Sequence, residues 1–276
     1  MDEKLAVTVC VPVKNEEKNL ARCLEAIGSA FMQVVVIDSG SEDATCSIAR
    51  EHGAEVVHFE WDGKFPKKRN WCLRNYVFQT DWVLFLDADE IISPAFIAEI
   101  TSVVKQDRVV GCWLNYSNWF MGCELKHGDK FRKLAFFKRS AGEYERFPED
   151  AWTHLDMEVH EHPVLEGPLG EVQSLIEHKD YRGLKHYIGK HNEYSDWEMR
   201  RYLWLEEADL SEWEGLNSRQ QFKYKHLKEW WFAPFYFFVT YVAKFGFLDG
   251  VIGWRFASMK YRYFSDIRFK ILEAKS

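Results

Sequence analysis

Short apolar runs alternate with amphipathic segments through the first hundred residues of the chain. The apolar runs predict four strands, at residues 6–13, 34–38, 56–59 and 82–86. Between and after them, the amphipathic segments predict helices over 17–30, from a Ser41 or Asp43 cap to about 52, over 67–76, and from Pro94 onward. Repeated β–α units of this length predict a parallel sheet with right-handed crossover connections.

The pattern changes after residue 109. Further strands are predicted at 109–116, 133–138 and 157–165, joined by polar stretches that are rich in aromatic residues. From residue 184 the chain is expected to be helical nearly to its end. One break is expected at 216–218, where Ser218 would cap the next helix.

The length and composition of the chain allow a large core. With 276 residues, 47% of them hydrophobic, the chain can form one large domain or a domain with an appendage. The predicted fold class is α/β: a mostly parallel sheet flanked by helices, with a C-terminal helical extension. We expect the sheet domain at residues 1–183, in halves 1–108 and 109–183, and the extension at 184–276.

The six cysteines are scattered along the chain, and none forms a C-x-x-C pair. Several lie inside apolar runs, where cysteine behaves as a small hydrophobic residue. This distribution favours a reducing compartment over a disulfide framework. The amino end leads directly into the first strand, without the basic and apolar regions of a secretion signal. We therefore expect a cytoplasmic protein.

Charge is distributed unevenly along the chain. The formal net charge is −7, yet residues 221–276 carry ten Lys or Arg against four Asp or Glu. The rest of the chain is therefore strongly acidic. An acidic body with a basic, aromatic tail argues against nucleic acid as a partner and predicts an anionic surface facing the tail.

The tail contains thirteen consecutive uncharged residues, at 230–242. Lys244 and Asp249 lie soon after this stretch, so the run of about 20 apolar residues that a membrane span needs is not present. Aromatic residues mixed with lysine and arginine are typical of an element that lies in the membrane interface. Residues 220–276 are therefore expected to contact the inner leaflet peripherally. The alternative is that these helices pack on the rest of the chain, or on a second copy in a homo-oligomer.

Polar clusters follow three of the four predicted strands, at residues 12–16, 38–45 and 87–89. The carboxyl ends of parallel strands meet at one edge of the sheet, so one crevice is expected to receive all three clusters. The carboxylates of Asp87 and Asp89, followed by Glu90, are too costly to sit there unpaired, and a divalent cation with its phosphates would balance them. A solvated Asp-rich turn with a helix cap at Ser93 is the alternative.

The order and spacing of these segments resemble the family 2 glycosyltransferases, which have the Rossmann-like GT-A fold. The resemblance covers roughly residues 5–100 and is carried by PVKNEE, DSGSEDAT, KKRN and DAD. It implies a UDP-sugar as donor substrate and Mg²⁺ or Mn²⁺ as cofactor. It also implies that 1–108 is the nucleotide-binding half and 109–183 the acceptor and catalytic half.

Donor-binding roles are implied by the resemblance together with the chemistry of the side chains. Asn15 and the backbone beside Pro12 can pair with a uracil edge, and the resemblance assigns Glu16 and Asp38 to nucleoside recognition. Lys68 and Arg69 begin a helix and would direct cations at the diphosphate, although solvated basic residues are the alternative. The predicted donor-binding residues are Pro12, Asn15, Glu16, Asp38, Ser39, Lys68, Arg69 and Asp87.

The family pattern makes Asp89 the main ligand of the metal ion. Asp87 would lie nearer the ribose or bind the ion through water. Hard oxygen ligands suit a magnesium-type ion whose shell the substrate phosphates complete. His178 matches the position of a histidine that joins the metal in many GT-A enzymes, whereas a single histidine after a strand is more often structural.

An inverting transfer needs a carboxylate to deprotonate the acceptor hydroxyl. Glu161 lies in a segment that resembles the Val-His-Glu segment of the lipopolysaccharide-core β-1,4-glucosyltransferase-like branch, which implies that it is the base. Asp150, with Glu149, resembles the pair of other branches. Strand alternation places Glu158 on the face of two histidines and Glu161 on the opposite face, so Glu158 is favoured if the cleft lies on the histidine side.

The prediction is therefore a metal-dependent, inverting hexosyltransferase that moves a hexose, with glucose favoured, from a UDP-sugar to a lipid-linked or lipopolysaccharide-core acceptor. A sugar-phosphate nucleotidyltransferase is the first rival, but it would carry a Gly-rich loop with an Arg after the first strand. A non-catalytic membrane-surface protein is the second rival, and the intact DAD segment argues against it. A zinc hydrolase could use Glu158, His160 and His162, although no H-E-x-x-H helix accompanies them.

Overall fold

The computed structural model describes residues 4–128, 130–146, 153, 155–156, 162–180 and 182–276. The chain forms two compact units. The first contains the described residues within Met1–Trp119, Lys130–Asp150 and Leu155–Tyr181, and the second those within Phe120–Asp129, Ala151–His154 and Arg182–Ser276. The division into independent domains at residue 183 stays a prediction.

Strands and helices alternate in the first unit and helices dominate the second. The strands are β1 Leu5–Val13, β2 Phe31–Asp38, β3 Glu55–His58, β4 Trp82–Phe85, β5 Glu90–Ile91, β6 Gly111–Phe120, β7 Cys123–Leu125, β8 Phe131–Lys138, β9 Gly142–Tyr144, β10 Pro163–Leu165 and β11 Leu169–His178. The helices are α1 Leu20–Ile27, α2 Thr45–Glu51, α3 Lys68–Asn75, α4 Pro94–Gln106, α5 Leu184–Glu207, α6 Leu210–Glu214, α7 Ser218–His226, α8 Phe232–Phe238 and α9 Gly250–Ala274.

The main sheet of the first unit has the strand order β3-β2-β1-β4-β8-β6-β11-β5. The first four strands are parallel, as the β–α pattern predicts. The other half is mixed, because β8 runs antiparallel to β4 and β6, and β5 antiparallel to β11. Ten residues join β6 to β8, which is too short for the crossover that a parallel pair requires. The predicted α/β fold class is confirmed, and its antiparallel part lies in the second half of the sheet.

Buried apolar side chains fix the parallel half of the sheet. Seven consecutive residues of β1, from Val7 to Val13, are buried, which agrees with a strand covered on both faces. The predicted apolar stripe of α1 is also buried: Leu20, Cys23, Leu24 and Ile27. The polar groups that follow this parallel half of the sheet lie at the carboxyl ends of β1, β2 and β4.

Two helix caps test the sequence-based expectations. The Ser93 hydroxyl accepts a hydrogen bond from the Phe96 N–H at 3.2 Å, and Pro94 begins α4, as predicted. Asn217, rather than Ser218, caps α7: its side chain accepts from the Gln220 N–H, and the Gln220 side chain accepts in return from the Asn217 N–H. The predicted cap at Ser218 is therefore wrong by one residue. Both residue types make good caps, and the reciprocal bond with Gln220 favours Asn217.

The second unit has an apolar core and a buried ionic cluster of its own. Tyr202, Leu205, Leu227, Phe232, Ile267 and Ile271 form part of the core. The buried Glu198 carboxylate accepts hydrogen bonds from Lys223 Nζ at 2.7 Å and from the Tyr224 hydroxyl at 2.8 Å. Burial lowers the pKa of Lys223 more than Glu198 raises it, so the pKa lies below its ordinary value.

Among the described residues, no single helix is long and apolar enough to cross a membrane. Two helical segments, Phe232–Ala243 and Gly246–Ala274, satisfy the same length and composition criteria when they are taken together. Their axes are bent by 73° at the break.

Candidate active site

The loops that follow β1 and β2 contact each other at the carboxyl edge of the sheet. Val13 and Asp38, the last residues of the two strands, are paired in register. Beyond them, the Asn15 N–H donates to Ser41 Oγ at 2.9 Å, and the Glu42 N–H donates to Asn15 Oδ1 at 2.8 Å. Asn15 has a φ of 55°, a left-handed conformation that asparagine tolerates better than most residues. Its side chain therefore joins the first two polar clusters.

Glu16 lies at the start of the turn that leads into α1. Its N–H donates to Thr45 Oγ1 at 2.7 Å, and its carboxylate accepts from Asn19 Nδ2 at 2.9 Å. The same amide nitrogen of Asn19 lies 3.2 Å from Asp180 Oδ1. Asn19 thus connects the β1 loop with the residues just after β11, where His178 ends the strand.

Asp38 is buried and shapes the loop after β2. Its carboxylate accepts hydrogen bonds from the N–H groups of Gly40 and Ser41, at 3.2 and 3.1 Å. Burial alone would raise the pKa of Asp38, but the hydrogen bonds from Ser41 and Gly40 outweigh it, so the pKa lies below its ordinary value. Gly40 has a φ of 73°, which a side chain would disfavour. The loop therefore presents an ionised carboxylate in a fixed position.

Helix α3 brings two cations to the same edge. Lys68 is buried, and its Nζ lies 3.1 Å from the Val13 carbonyl oxygen and 3.3 Å from Asp156 Oδ2. Arg69 donates to Asp87 Oδ1 at 3.0 Å. Lys68 thus holds the end of β1, and Arg69 reaches the DAD segment that follows β4. The predicted role of both residues at a diphosphate stays a prediction.

A third cation, Lys133 on β8, lies between two carboxylates. Its ammonium group donates to Asp87 Oδ2 and to Glu90 Oε1. Burial raises the pKa of the fully buried Glu90 carboxyl, and the nearby Lys133 reduces this rise only in part. Burial lowers the pKa of Lys133, but Asp87 and Glu90 outweigh it and raise the pKa. Asp87 is therefore held from two sides, by Arg69 and by Lys133.

The short strand β5 places His178 beside Asp89. In the antiparallel pair of β5 and β11, His178 is in register with Glu90. As a result, His178 Nε2 lies 3.4 Å from Asp89 Oδ2, and the Lys179 N–H donates to the Asp89 carbonyl oxygen at 3.0 Å. Burial lowers the pKa of His178, but Asp89 outweighs it, so the pKa lies above its ordinary value. The Phe131 ring stacks on the imidazole with 5.8 Å between centroids.

Asp89 and His178 fit one divalent cation. A carboxylate oxygen and an imidazole nitrogen 3.4 Å apart can both bind an ion at about 2.1 Å from each. Within the described part of the chain, no group of three or more His, Cys, Asp or Glu side chains is arranged to hold a metal ion. The two residues would therefore supply part of a coordination shell, and phosphate oxygens would complete it.

The three predicted bases, Glu161, Glu158 and Asp150, lie outside the described residues. Described residues near them in sequence lie beside the site. Asp156 contacts Lys68, and although burial raises the pKa of Asp156, Lys68 and the Ser39 hydroxyl outweigh it and lower the pKa. Desolvation and the positive charges of Arg69 and Lys133 lower the pKa of His162.

Sequence reasoning missed three residues of this site. Lys133 lies in a strand whose apolar pattern shows no sign of the two carboxylates it contacts. Asp156 lies close in sequence to glutamates that the family resemblance favours, and no signal of its own distinguishes it. Asn70 exchanges hydrogen bonds with the backbone of Tyr144, at 2.9 Å in both directions, and so attaches α3 to β9. Asn70 belongs to the KKRN segment, but its contact with Tyr144 is long-range and no local pattern indicates it.

Comparison with known families decides the identity of the fold. The family model of glycosyl transferase family 2 matches residues 8–154, just over half of the 276-residue chain. The chain belongs to glycosyl transferase family 2. The matched residues contain the loops after β1, β2 and β4 and the whole of α3. The predicted family and GT-A fold are thereby confirmed, and the lipopolysaccharide-core branch stays a prediction.

Relatives of this family 2 glycosyltransferase differ in how much of the chain they share. A TPR repeat-containing protein of Synechococcus elongatus is 35% identical over 104 residues, 38% of this chain and 25% of that protein. A glycosyltransferase of Rickettsia felis is 25% identical over 279 residues, 98% of this chain and 92% of that protein. A 4,4′-diaponeurosporenoate glycosyltransferase of Staphylococcus aureus is 35% identical over 89 residues, 30% of this chain and 24% of that protein. The chain thus spans a quarter of the first relative and nearly all of the second.

Solved structures resemble part of the chain. One is glucosyl-3-phosphoglycerate synthase from Mycobacterium tuberculosis in complex with Mn²⁺, UDP and glucosyl-3-phosphoglycerate. It has 27% identity, a TM-score of 0.30, and covers 36% of this chain and 39% of its own. Another is TarS from S. aureus in complex with UDP-GlcNAc, with 23% identity, a TM-score of 0.35, and coverage of 42% and 36%. Each likeness covers less than half of both chains.

Proposed function

We propose that this glycosyltransferase moves a hexose, with glucose as the favoured sugar, from a UDP-sugar to a lipid-linked or lipopolysaccharide-core acceptor. The observation that carries the proposal is the juxtaposition of the Asp89–His178 pair with the Asp87 carboxylate that Arg69 and Lys133 hold. A nucleoside diphosphate leaving group needs cations near its phosphates, and this edge of the sheet brings them together. Because the chain belongs to glycosyl transferase family 2, a sugar-phosphate nucleotidyltransferase is no longer favoured as its alternative function.

In this proposal Asp89 and His178 hold Mg²⁺ or Mn²⁺, and Asp87 lies toward the ribose. The metal ion, when bound, supplies positive charge that stabilises the departing nucleoside diphosphate. Arg69 would add a second positive charge at the phosphates. Asp38, kept ionised by its backbone hydrogen bonds, would accept from a nucleoside hydroxyl.

The acceptor hydroxyl needs a base, and Glu161 is proposed for that role, with Glu158 and Asp150 as the alternatives. Asp156, five residues before Glu161 in the sequence, contacts Lys68, which precedes Arg69 on α3. Glu161→Gln is expected to abolish transfer while donor binding persists. Normal turnover of this variant would remove Glu161 from the role.

The lipid-linked acceptor is proposed together with a place at the cytoplasmic face of the membrane. The basic, aromatic composition of residues 220–276 supports contact with the inner leaflet. A homo-oligomer is the competing use of the same surface. Nucleic acid is not expected as a partner, because the chain as a whole is acidic.

Donor binding tests the proposal most directly. Isothermal titration with UDP-glucose, GDP-glucose and ADP-glucose, each with and without Mn²⁺, should show that the uridine nucleotide binds best and needs the metal. Slow release of UDP from UDP-glucose should accompany binding. Equal binding of all three nucleotides, or none, would contradict the assignment of the donor.

The pH dependence of metal binding tests the Asp89–His178 pair. His178 binds a metal ion only in its neutral form, and Asp89 raises the pKa of His178 above its ordinary value. The affinity for Mn²⁺ in the presence of UDP should therefore fall as the pH is lowered through that pKa, by about tenfold for each pH unit below it. His178→Ala should weaken binding at pH 8 and flatten the profile, whereas His52→Ala on the exposed end of α2 should leave it unchanged. A wild-type profile in His178→Ala would exclude the histidine as a ligand.

A further inference from the structure

The bent pair of helical segments in the second unit exposes a group of large apolar side chains. We call it the aromatic tip; its residues are Phe238, Val242, Phe245, Phe247, Leu248, Val251 and Trp254. Each of these side chains is between 42% and 66% exposed. Isolated exposed apolar residues are normal on a protein surface, but a group of seven within seventeen residues indicates an interaction site.

Ring contacts join the two arms of the aromatic tip into one patch. Trp254 of α9 packs edge-on against Phe237 and Tyr241 of the preceding segment, with centroids 4.9 and 5.2 Å apart. Tyr241 also contacts Phe247 of the turn at 6.3 Å. The half-buried rings of Phe237 and Tyr241 thus pack against exposed rings of the tip.

Backbone packing fixes the turn between the two arms. A Cβ atom on Gly253 would lie 1.9 Å from the Gly246 carbonyl oxygen, and a Cβ on Gly246 would lie 2.6 Å from the Thr240 carbonyl oxygen. Only glycine permits these approaches. Because backbone contacts hold the turn, the large apolar side chains are not needed to pack it and can point outward. Their exposure therefore follows from the structure of the turn.

The only acidic side chain between Trp230 and Trp254, that of Asp249, is almost buried. Between Trp230 and Trp254 the sequence contains two charged residues, Lys244 and Asp249. The Asp249 carboxylate accepts from the N–H groups of Lys126 and His127, and its side chain is only 8% exposed. Between Trp230 and Trp254, a range that the structure describes in full, no carboxylate side chain is exposed.

Basic residues lie on both sides of the tip in sequence. Lys225 and Lys228 precede it, and Arg255 and Arg262 follow it, all four exposed. An aromatic surface that is bordered by lysine and arginine is complementary to a bilayer with anionic headgroups, because the rings enter the interface while the cations meet the phosphates.

We propose that the aromatic tip inserts into one leaflet of an anionic bilayer without crossing it. The proposal deepens the membrane contact of the proposed function and rests on it for the lipid-linked acceptor only. The first arm, Phe232–Ala243, has twelve residues and is about 18 Å long at 1.5 Å per residue, well short of the hydrocarbon core of about 30 Å. The 73° bend then directs the chain away from the axis of the first arm.

Vesicle flotation with tip variants tests the insertion. Wild-type protein should float with vesicles of phosphatidylethanolamine and phosphatidylglycerol, and less with phosphatidylcholine alone. Phe247→Ser/Leu248→Ser should lower the partition coefficient at least about tenfold, because two large apolar side chains no longer enter the bilayer. The matched control Val77→Ser/Leu210→Ser removes two apolar side chains that are 83% and 81% exposed elsewhere, and should float like the wild type. Equal flotation of the two double variants would overturn the proposal.

A depth measurement separates insertion from contact with a second copy of the chain. A nitroxide at Leu248→Cys, in a Cys46→Ser/Cys123→Ser background, should become more accessible to oxygen than to a water-soluble nickel chelate when vesicles are added. A nitroxide at Leu210→Cys should show the reverse. Shielding of Leu248→Cys from both reagents without vesicles, with a dimer in sedimentation velocity that the tip variant loses, would assign the tip to a second copy instead.

The same variants distinguish this proposal from the proposed function. Phe247→Ser/Leu248→Ser should remain folded at the assay temperature and retain the wild-type affinity for UDP-glucose in solution, because both residues lie outside the first unit. Loss of flotation with intact donor binding supports the tip as a membrane contact. Flotation of a protein that binds no nucleotide sugar would overturn the donor assignment and leave the membrane contact standing.

Discussion

Asp89→Asn is expected to lower the rate of sugar transfer by about 10³-fold, the largest effect expected of a substitution among the described residues of this chain. The substitution removes a buried negative charge 3.4 Å from His178 Nε2 while it keeps the size of the side chain. A metal ion at a developing leaving-group charge contributes several kcal/mol to the transition state, and about 1.4 kcal/mol corresponds to a factor of ten. The rate of UDP release with acceptor present measures the effect.

Metal binding gives a second measurement that does not depend on turnover. Electron paramagnetic resonance of free Mn²⁺, titrated with protein in the presence of UDP, should show weaker binding in Asp89→Asn. Asp107→Asn is the matched control, because Asp107 has a φ of 50°, which asparagine tolerates, and pairs with Lys138 at the surface. Equal rates and equal Mn²⁺ affinity in Asp89→Asn and Asp107→Asn would exclude Asp89 as a metal ligand.

The parallel half of the sheet could be predicted from the sequence because its signals are local. Each predicted strand overlaps an observed one, and the stripe of α1 is buried as expected. The start of α1 is less well predicted, because the pattern makes Glu17 helical and the helix begins at Leu20. The positive φ of Asn15 and the hydrogen bond from the Asn19 N–H to the Glu16 carbonyl oxygen fold the polar residues into a turn first.

The contacts of the site depend on pairings that no local pattern specifies. Strand β5 has two residues, too few for a periodic signal, yet its register with β11 brings His178 to Asp89. The resemblance to the family pointed to His178, whereas composition and spacing did not. In the same way, β8 was predicted as a strand, but its order between β4 and β6 is what places Lys133 at Asp87 and Glu90.

The uncharged segment at 230–242 illustrates a different limit. Its composition predicted an interfacial element, and the structure divides it between α8 and a π-helical turn at Val239–Ala243, with a 3₁₀ turn at Gly246–Asp249 following it. The hydrophobicity of such a segment indicates what kind of surface it contacts. The position of its bend depends instead on close backbone contacts at glycine residues. Gly246 and Gly253 are seven residues apart, and nothing in their spacing alone predicts that their backbones meet.

Lys133→Met is expected to reduce the free energy of unfolding by about 3 kcal/mol, the largest effect expected on stability. Lys133 is the cation shared by Asp87 and the fully buried Glu90, and breaking a buried ion pair by removing one partner leaves the other charge uncompensated. Urea unfolding followed by tryptophan fluorescence measures the change. Lys133→Arg, which keeps the charge, should retain most of the stability.

The double variant Lys133→Met/Glu90→Gln tests whether the loss comes from the stranded carboxylate. Glutamine can still accept the hydrogen bond that Glu90 Oε2 receives from the Asp87 N–H at 3.1 Å, and it carries no charge to bury. The double variant should therefore recover more than half of the loss, which corresponds to a coupling energy of about 2 kcal/mol. Lys138→Met on the same strand is the matched control, since its partner Asp107 is exposed and such pairs contribute about 1 kcal/mol or less. Equal losses in Lys133→Met and Lys138→Met, or no recovery in the double variant, would show that Lys133 does not neutralise this site.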